Sequence, residues 1–150
     1  MKKLLPVVTM VAMAAAAIAI FAFRGGESRG ADEPDGYSND RVEVFYFHLT
    51  RRCVTCQAVE NVARDAVKEF YPAEVEKGTV VFRSLNIEDK SSEADAKRVN
   101  ATGQCLLIVS GETRIDLTSE GFMNARNNPE KFREEIRKAI DPLLKALKTN

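Results

Sequence analysis

The chain has 150 residues, and its 22 basic and 22 acidic side chains leave no formal net charge. Nucleic-acid binding depends on lysines and arginines set against phosphates, so this balance and the lack of a basic stripe exclude a nucleic-acid partner. The composition also includes three cysteines, which is enough for one disulfide and one unpaired thiol.

The first 24 residues predict a segment directed to a membrane. Lys2 and Lys3 precede an apolar run over 4–23 that contains no charged residue, and Arg24 closes it. Such a run is long enough to span a bilayer, and the lysines should stay on the cytoplasmic side. We therefore expect an uncleaved membrane anchor or a cleaved signal peptide. Either places the remaining chain outside the cytoplasm, in the periplasm.

Residues 25–40 predict a flexible linker between this segment and a folded domain. They are rich in glycine, serine, proline and acidic residues, and they show no apolar periodicity. The remaining residues, 41–150, have the length of one ordinary domain.

The domain alternates predicted strands and helices. Strands are predicted over 41–48, 79–85, 105–109 and 113–117, and helices over 54–70, 91–100 and from Pro129 onward. The third strand is apolar throughout and should lie inside the sheet. Loops are predicted over 71–78 and 118–127, and Pro142 is expected to kink or restart the last helix. Acidic residues such as Glu60 are interpreted as solvated.

Cys53-Val54-Thr55-Cys56 stands between the first predicted strand and the first predicted helix. Unsatisfied N–H groups at a helix N-terminus stabilise a thiolate, so Cys53 should be the reactive cysteine. A CxxC in this context indicates thiol–disulfide chemistry. A structural disulfide and one half of a metal site are the alternatives.

The order strand, helix, strand, helix, strand, strand, helix, with the CxxC after the first strand, resembles the thioredoxin fold over 41–149. The resemblance implies an α/β domain with a mixed four-stranded sheet flanked by helices. It also implies that Cys53 attacks a disulfide and that Cys56 resolves the mixed intermediate. The implied partners are protein disulfides or dithiols, with no cofactor beyond the redox-active disulfide. A reductant outside the cytoplasm would require a membrane electron relay as a further partner.

Three stretches, 45–56, 102–107 and 121–129, are similar to small bacterial thioredoxin-like proteins labelled nitrophenyl-compound nitroreductase subunit (the ArsF family). Some of these lie beside arsenic-resistance genes. The chain has no flavin- or nicotinamide-binding fingerprint, so it is not expected to be a nitroreductase by itself. A non-catalytic subunit of a redox complex is a further alternative.

The chain departs from standard thioredoxins at the predicted site. Arg52 takes the place of a tryptophan, Phe47 that of a buried acid, and Gln104 that of the proline that faces the dithiol in the family. Arg51 and Arg52 are expected to favour the Cys53 thiolate, unless they are simply solvated.

Cys105 and His48 are the other candidate site residues. Cys53, Cys56 and Cys105 together would suit a soft metal or a metalloid such as arsenite, and His48 would complete a Cys₃His zinc set. The alternatives are a Cys105 thiol buried in the sheet and a His48 ring that is packed or hydrogen-bonded locally.

Overall fold

The computed structural model describes residues 39–149. The predicted anchor (1–24) and nearly all of the predicted linker (25–40) lie outside these residues. No helix within the described part has both the length and the apolar character needed to cross a membrane.

Four strands form one mixed sheet. They are β1 (Val42–His48), β2 (Val80–Asn86), β3 (Cys105–Ser110) and β4 (Thr113–Asp116). The spatial order is β2-β1-β3-β4, with β1 parallel to β2 and antiparallel to β3, and β3 antiparallel to β4. The predicted α/β domain with a mixed four-stranded sheet is confirmed, and so is the interior position of the third strand.

Five helices flank the sheet in the described part of the chain. They are α1 (Val54–Phe70), α2 (Pro72–Glu76), α3 (Glu93–Arg98), α4 (Thr118–Asn124) and α5 (Pro129–Thr149), and a 3₁₀ turn over Lys90–Ser92 leads into α3. As a crossover between the parallel strands β1 and β2, α1 is the helix that their pairing requires.

Two of these helices, α2 and α4, replace predicted loops. Both are short, so neither shows an apolar period, and tertiary packing decides their conformation. In α4, a Cβ placed on Gly121 would lie 3.0 Å from the side chains of Val59 and Phe132, so this helix packs closely on α1 and α5. Of the two effects expected of Pro142, a kink or a restart of the last helix, the restart is wrong, because α5 continues through it with Ile140 and Leu144 buried on either side.

The sheet has a separate apolar core on each face, because successive side chains of a strand point to opposite sides. We call the first the α1 face, where Tyr46 and Leu106 pack with side chains of α1 and α5. The second, the α3 face, contains Phe47, Cys105 and Leu107 packed with residues of α3 and the segment after it.

Candidate active site at the start of helix α1

Cys53 is the N-cap residue of α1. Its backbone is extended, with φ −83° and ψ 163°, and its carbonyl accepts the N–H of Gln57 at 3.0 Å. Its Sγ accepts the backbone N–H of Cys56 at 3.0 Å, as a serine or aspartate oxygen does at other helix starts. A negative charge on this sulfur would meet both a donor and the positive end of the helix dipole.

Cys53 and Cys56 are joined by a disulfide, with their Cα atoms 5.0 Å apart. The two cysteines differ in exposure: Cys53 is exposed, whereas Cys56, in the first turn of α1, is 5% exposed. An attacking group can therefore approach Cys53 from solvent, while Cys56 is shielded by the protein.

Arg52 and Glu60 form an ion pair beside the first two turns of α1. The Arg52 guanidinium also lies 5.9 Å from the centre of the Tyr46 ring, and Arg64 lies 3.6 Å from the same carboxylate. The interpretation of Glu60 as solvated is wrong, since it is only 8% exposed. Glu60 offsets much of the Arg52 charge, while Arg51, two residues before Cys53, is exposed.

Gln104 lies against the disulfide, immediately before β3. Its side-chain Oε1 is 3.8 Å from Sγ of Cys56, and its Nε2 donates to the Tyr46 hydroxyl at 2.8 Å. The Tyr46 hydroxyl in turn donates to the backbone carbonyl of Cys56 at 2.7 Å. Burial raises the pKa of Tyr46, although Gln104 and Arg52 partly oppose this, so the hydroxyl keeps its proton.

Cys105 lies on the α3 face, away from the face on which α1 packs. It pairs across the sheet with Phe47 and is 9% exposed. Burial raises the pKa of the Cys105 thiol to about 11, with a further contribution from Asp116, so it is protonated at neutral pH. These properties match a buried sheet thiol.

His48 ends β1 with its ring 6.2 Å from the Tyr46 ring. Its Nδ1 donates to the backbone carbonyl of Leu49 at 3.0 Å in the tautomer that this contact requires. The His48 ring is therefore hydrogen-bonded locally, as one of the two interpretations of this residue expected. Within residues 39–149, no three histidine, cysteine or acidic side chains come together as a metal site would require.

A cleft of about 450 Å³ opens beside Gln104. Gln104 and Cys105 line it together with the charged side chains of Arg114 and Asp116. Gln104 thus lines this cleft, and its amide oxygen also lies next to the disulfide.

Tyr46 and Glu60 are the site residues that the sequence interpretation missed, and each carries a signal. Glu60 lies within the helical spacing of the buried face of α1, which comprises Cys56, Val59, Glu60, Ala63, Ala66 and Val67. A carboxylate in such a stripe requires a partner. Similarly, a tyrosine within an apolar strand has a hydroxyl that needs a hydrogen bond when it is buried.

Comparison with protein families, with curated proteins and with solved structures finds no match for this chain.

Proposed function

We propose that this protein is a thioredoxin-like thiol–disulfide oxidoreductase that acts outside the cytoplasm. One observation carries the proposal: an exposed cysteine caps a helix, accepts the N–H of Cys56 at 3.0 Å, and is joined by a disulfide to that buried cysteine. The N-cap position favours the thiolate of Cys53, and exposure lets a partner's disulfide reach it. The mixed sheet with α1 as its crossover supports a thioredoxin-like architecture.

The reaction transfers two electrons between two dithiol–disulfide pairs. The Cys53 thiolate attacks one sulfur of the partner's disulfide, forms a mixed disulfide and releases one partner thiolate. Cys56 then loses its proton and attacks Sγ of Cys53, which closes the Cys53–Cys56 disulfide and releases the second partner thiolate. The partner is reduced and this protein is oxidised, and the reverse sequence oxidises a partner dithiol.

The surface around Cys53 suits another protein as the partner. Val54 is 69% exposed and Leu49 is 39% exposed, so exposed apolar side chains stand on both sides of Cys53 in the sequence. The exposed Arg51 adds a positive charge at the same place. A protein segment with apolar and acidic side chains would complement this surface.

The membrane anchor or signal peptide expected over 1–24 is part of the proposal for location. The cytoplasm keeps dithiols reduced, whereas disulfides form and persist outside it. A membrane electron relay is the partner class that would regenerate the reduced form there.

The test is a redox titration of the full-length protein, with alkylation and mass spectrometry to measure each cysteine separately. We expect a reversible Cys53–Cys56 disulfide and a Cys105 that stays reduced throughout. A pair that remains oxidised under strong reductant would indicate a structural bridge. Joint protection of all three thiols by added arsenite would instead indicate a metalloid-binding module.

A trapping experiment separates catalysis from an adaptor role. The Cys56→Ser variant should accumulate a mixed disulfide through Cys53, because the resolving thiol is missing. The Cys105→Ser variant, which also lacks one thiol, should accumulate none. An adaptor would form no adduct with Cys56→Ser and would function without either cysteine of the pair.

A further inference from the structure

Three contacts connect the buried sulfur to a tyrosine on the central strand. Tyr46 Oη lies 2.7 Å from the carbonyl of Cys56, and Gln104 Nε2 lies 2.8 Å from Tyr46 Oη. Gln104 Oε1 lies 3.8 Å from Cys56 Sγ. Both ends of this chain of contacts reach the same cysteine, one at its backbone and one at its sulfur.

The direction of each hydrogen bond follows from the groups present. A backbone carbonyl only accepts, so the single proton of the Tyr46 hydroxyl is used on Cys56. The hydroxyl must then accept from Gln104, and only the amide nitrogen of that side chain can donate. The amide oxygen of Gln104 is therefore the atom that faces Sγ of Cys56.

We propose that Gln104 accepts the thiol proton of reduced Cys56 and that Tyr46 is the positioning residue that holds the amide in this orientation. An amide oxygen stabilises a thiol that donates to it and repels a thiolate. The two sulfurs therefore have opposite hydrogen-bonding environments. Cys53 meets a donor, the Cys56 N–H at 3.0 Å, while Cys56 meets an acceptor.

This inference deepens the proposed function, and its consequence for exchange rests on that function. Resolution requires Cys56 to give up its proton, which passes to water, before its sulfur attacks Cys53. A Cys56 thiol stabilised by Gln104 delays that attack and lengthens the life of the mixed disulfide. The burial that raises the pKa of Tyr46 supports the arrangement, because the hydroxyl remains a donor.

The experiment measures the titration of each reduced cysteine from its ¹³Cβ shift. Full-length protein labelled with [3-¹³C]cysteine and held in a neutral detergent is compared with Tyr46→Phe and Gln104→Leu. Both variants should lower the titration midpoint of Cys56 by roughly 0.5–1 pH unit, the size expected for one hydrogen bond. In Tyr46→Phe the amide is free to turn its N–H₂ group toward the sulfur.

Tyr71→Phe is the matched control. Tyr71 is 6% exposed and its hydroxyl donates to Asp141 at 2.6 Å, so this variant also removes a buried hydrogen bond. It should leave the midpoint of Cys56 unchanged. An unchanged midpoint in Gln104→Leu, or an equal change in Tyr71→Phe, would overturn the proposal. Gln104 is partly exposed, so its variant keeps the test available if Tyr46→Phe fails to fold.

The outcome is independent of whether the protein exchanges disulfides. The titration uses reduced protein without a partner. If Cys56→Ser trapped no adduct, the proposed function would be contradicted, but the titration result would still stand. Conversely, normal trapping with an unchanged Cys56 midpoint would remove only this inference. When both hold, Tyr46→Phe should also shorten the lifetime of the mixed disulfide at neutral pH.

Discussion

The positive charge next to Cys53 is balanced inside the protein. Arg52 precedes Cys53 in the chain, yet its guanidinium is paired with Glu60 and lies near the Tyr46 ring. Arg52 is therefore not simply solvated, which was the alternative to its favouring the Cys53 thiolate. The exposed Arg51 and the paired Arg52 should therefore contribute unequally to the site.

Replacing Glu60 with glutamine should leave the Arg52 charge largely uncompensated. We expect a stability loss of about 1–3 kcal/mol, the range for a partly buried charge that loses its partner. The unopposed guanidinium should also favour the Cys53 thiolate and make the disulfide more oxidising. Denaturant unfolding and the redox midpoint measure the two effects. Asp65→Asn is the control, because the Asp65 side chain lies on the same helix and is 61% exposed. It should change the stability and the redox midpoint very little. Changes as large as those of Glu60→Gln would contradict the role given to the Arg52–Glu60 pair.

The raised pKa of the Cys105 thiol predicts that the free energy of unfolding depends on pH. Its folded-state pKa is about 11, whereas an unfolded cysteine ionises near pH 8.5. Between these two pKa values the folded state keeps a proton that the unfolded state has lost. The contribution of Cys105 to the free energy of unfolding is therefore complete below the unfolded-state pKa and falls as pH rises toward the folded-state pKa. The oxidised wild type should lose on the order of 1–3 kcal/mol more than Cys105→Ala from pH 8 to 11. Parallel unfolding curves for the two proteins across this range would refute the assignment.

Helix α3 is attached to its face of the sheet by ion pairs. Glu43 in β1 is 3% exposed and accepts two hydrogen bonds from Arg98, at 2.8 and 3.3 Å. Asp95 in α3 accepts from both Arg83 and Arg98, and these guanidinium groups lie 5.4 and 5.1 Å from the centre of the Phe45 ring. The charged groups thus cover the apolar core that contains Cys105.

The Arg98→Met variant should be strongly destabilised. It leaves the Glu43 carboxylate buried without its main partner, which typically costs about 3–5 kcal/mol. We expect about 2–4 kcal/mol, below that typical range, because Arg41 remains 3.6 Å from Glu43. The adjacent Lys97→Met is the control, since its pair with Glu93 is exposed and should contribute little to stability. Similar unfolding midpoints for the two variants would show that the ion pairs do not hold α3.

At the scale of the whole molecule, the sheet separates the Cys53–Cys56 pair from the third cysteine. The α1 face contains the helix that positions Cys53 and Cys56, and the α3 face contains Cys105. This separation keeps a reduced thiol away from a neighbouring disulfide with which it would otherwise exchange. A protein with three cysteines can in this way keep a single pairing.

The predicted location of the protein outside the cytoplasm is also a property of the whole molecule. In a Gram-negative host, the full-length Cys56→Ser/Cys105→Ala variant should be found in the membrane fraction or the periplasm. Its remaining Cys53 should react with a membrane-impermeant maleimide in intact spheroplasts or in the periplasmic fraction. A cytoplasmic thiol protein serves as the control and should react only after lysis. Labelling of Cys53 only after lysis would contradict export of the domain.

The sequence by itself determined the local arrangement of the two cysteines, which depends on residues close together in the chain. Two cysteines three positions apart at the start of an amphipathic helix place one sulfur on the helix N-terminus wherever that helix packs. The first three strands are predictable for a similar reason, because their apolar residues lie close together in the sequence, and the turn over 110–112 indicates the fourth. The short helices α2 and α4 have too few residues to show a period, and packing alone distinguishes them from loops.

Only the tertiary structure decided which distant groups reach the cysteines. Gln104 and Cys105 are adjacent, but side chains at neighbouring positions point to opposite faces, so pairing of Cys105 with Phe47 directs only Gln104 to the site. The contact of Gln104 with Tyr46 joins residues 58 positions apart, and the Arg52–Glu60 pair depends on how the loop meets α1. Such contacts are set by strand register and helix packing, which depend on the whole core and not on any local stretch.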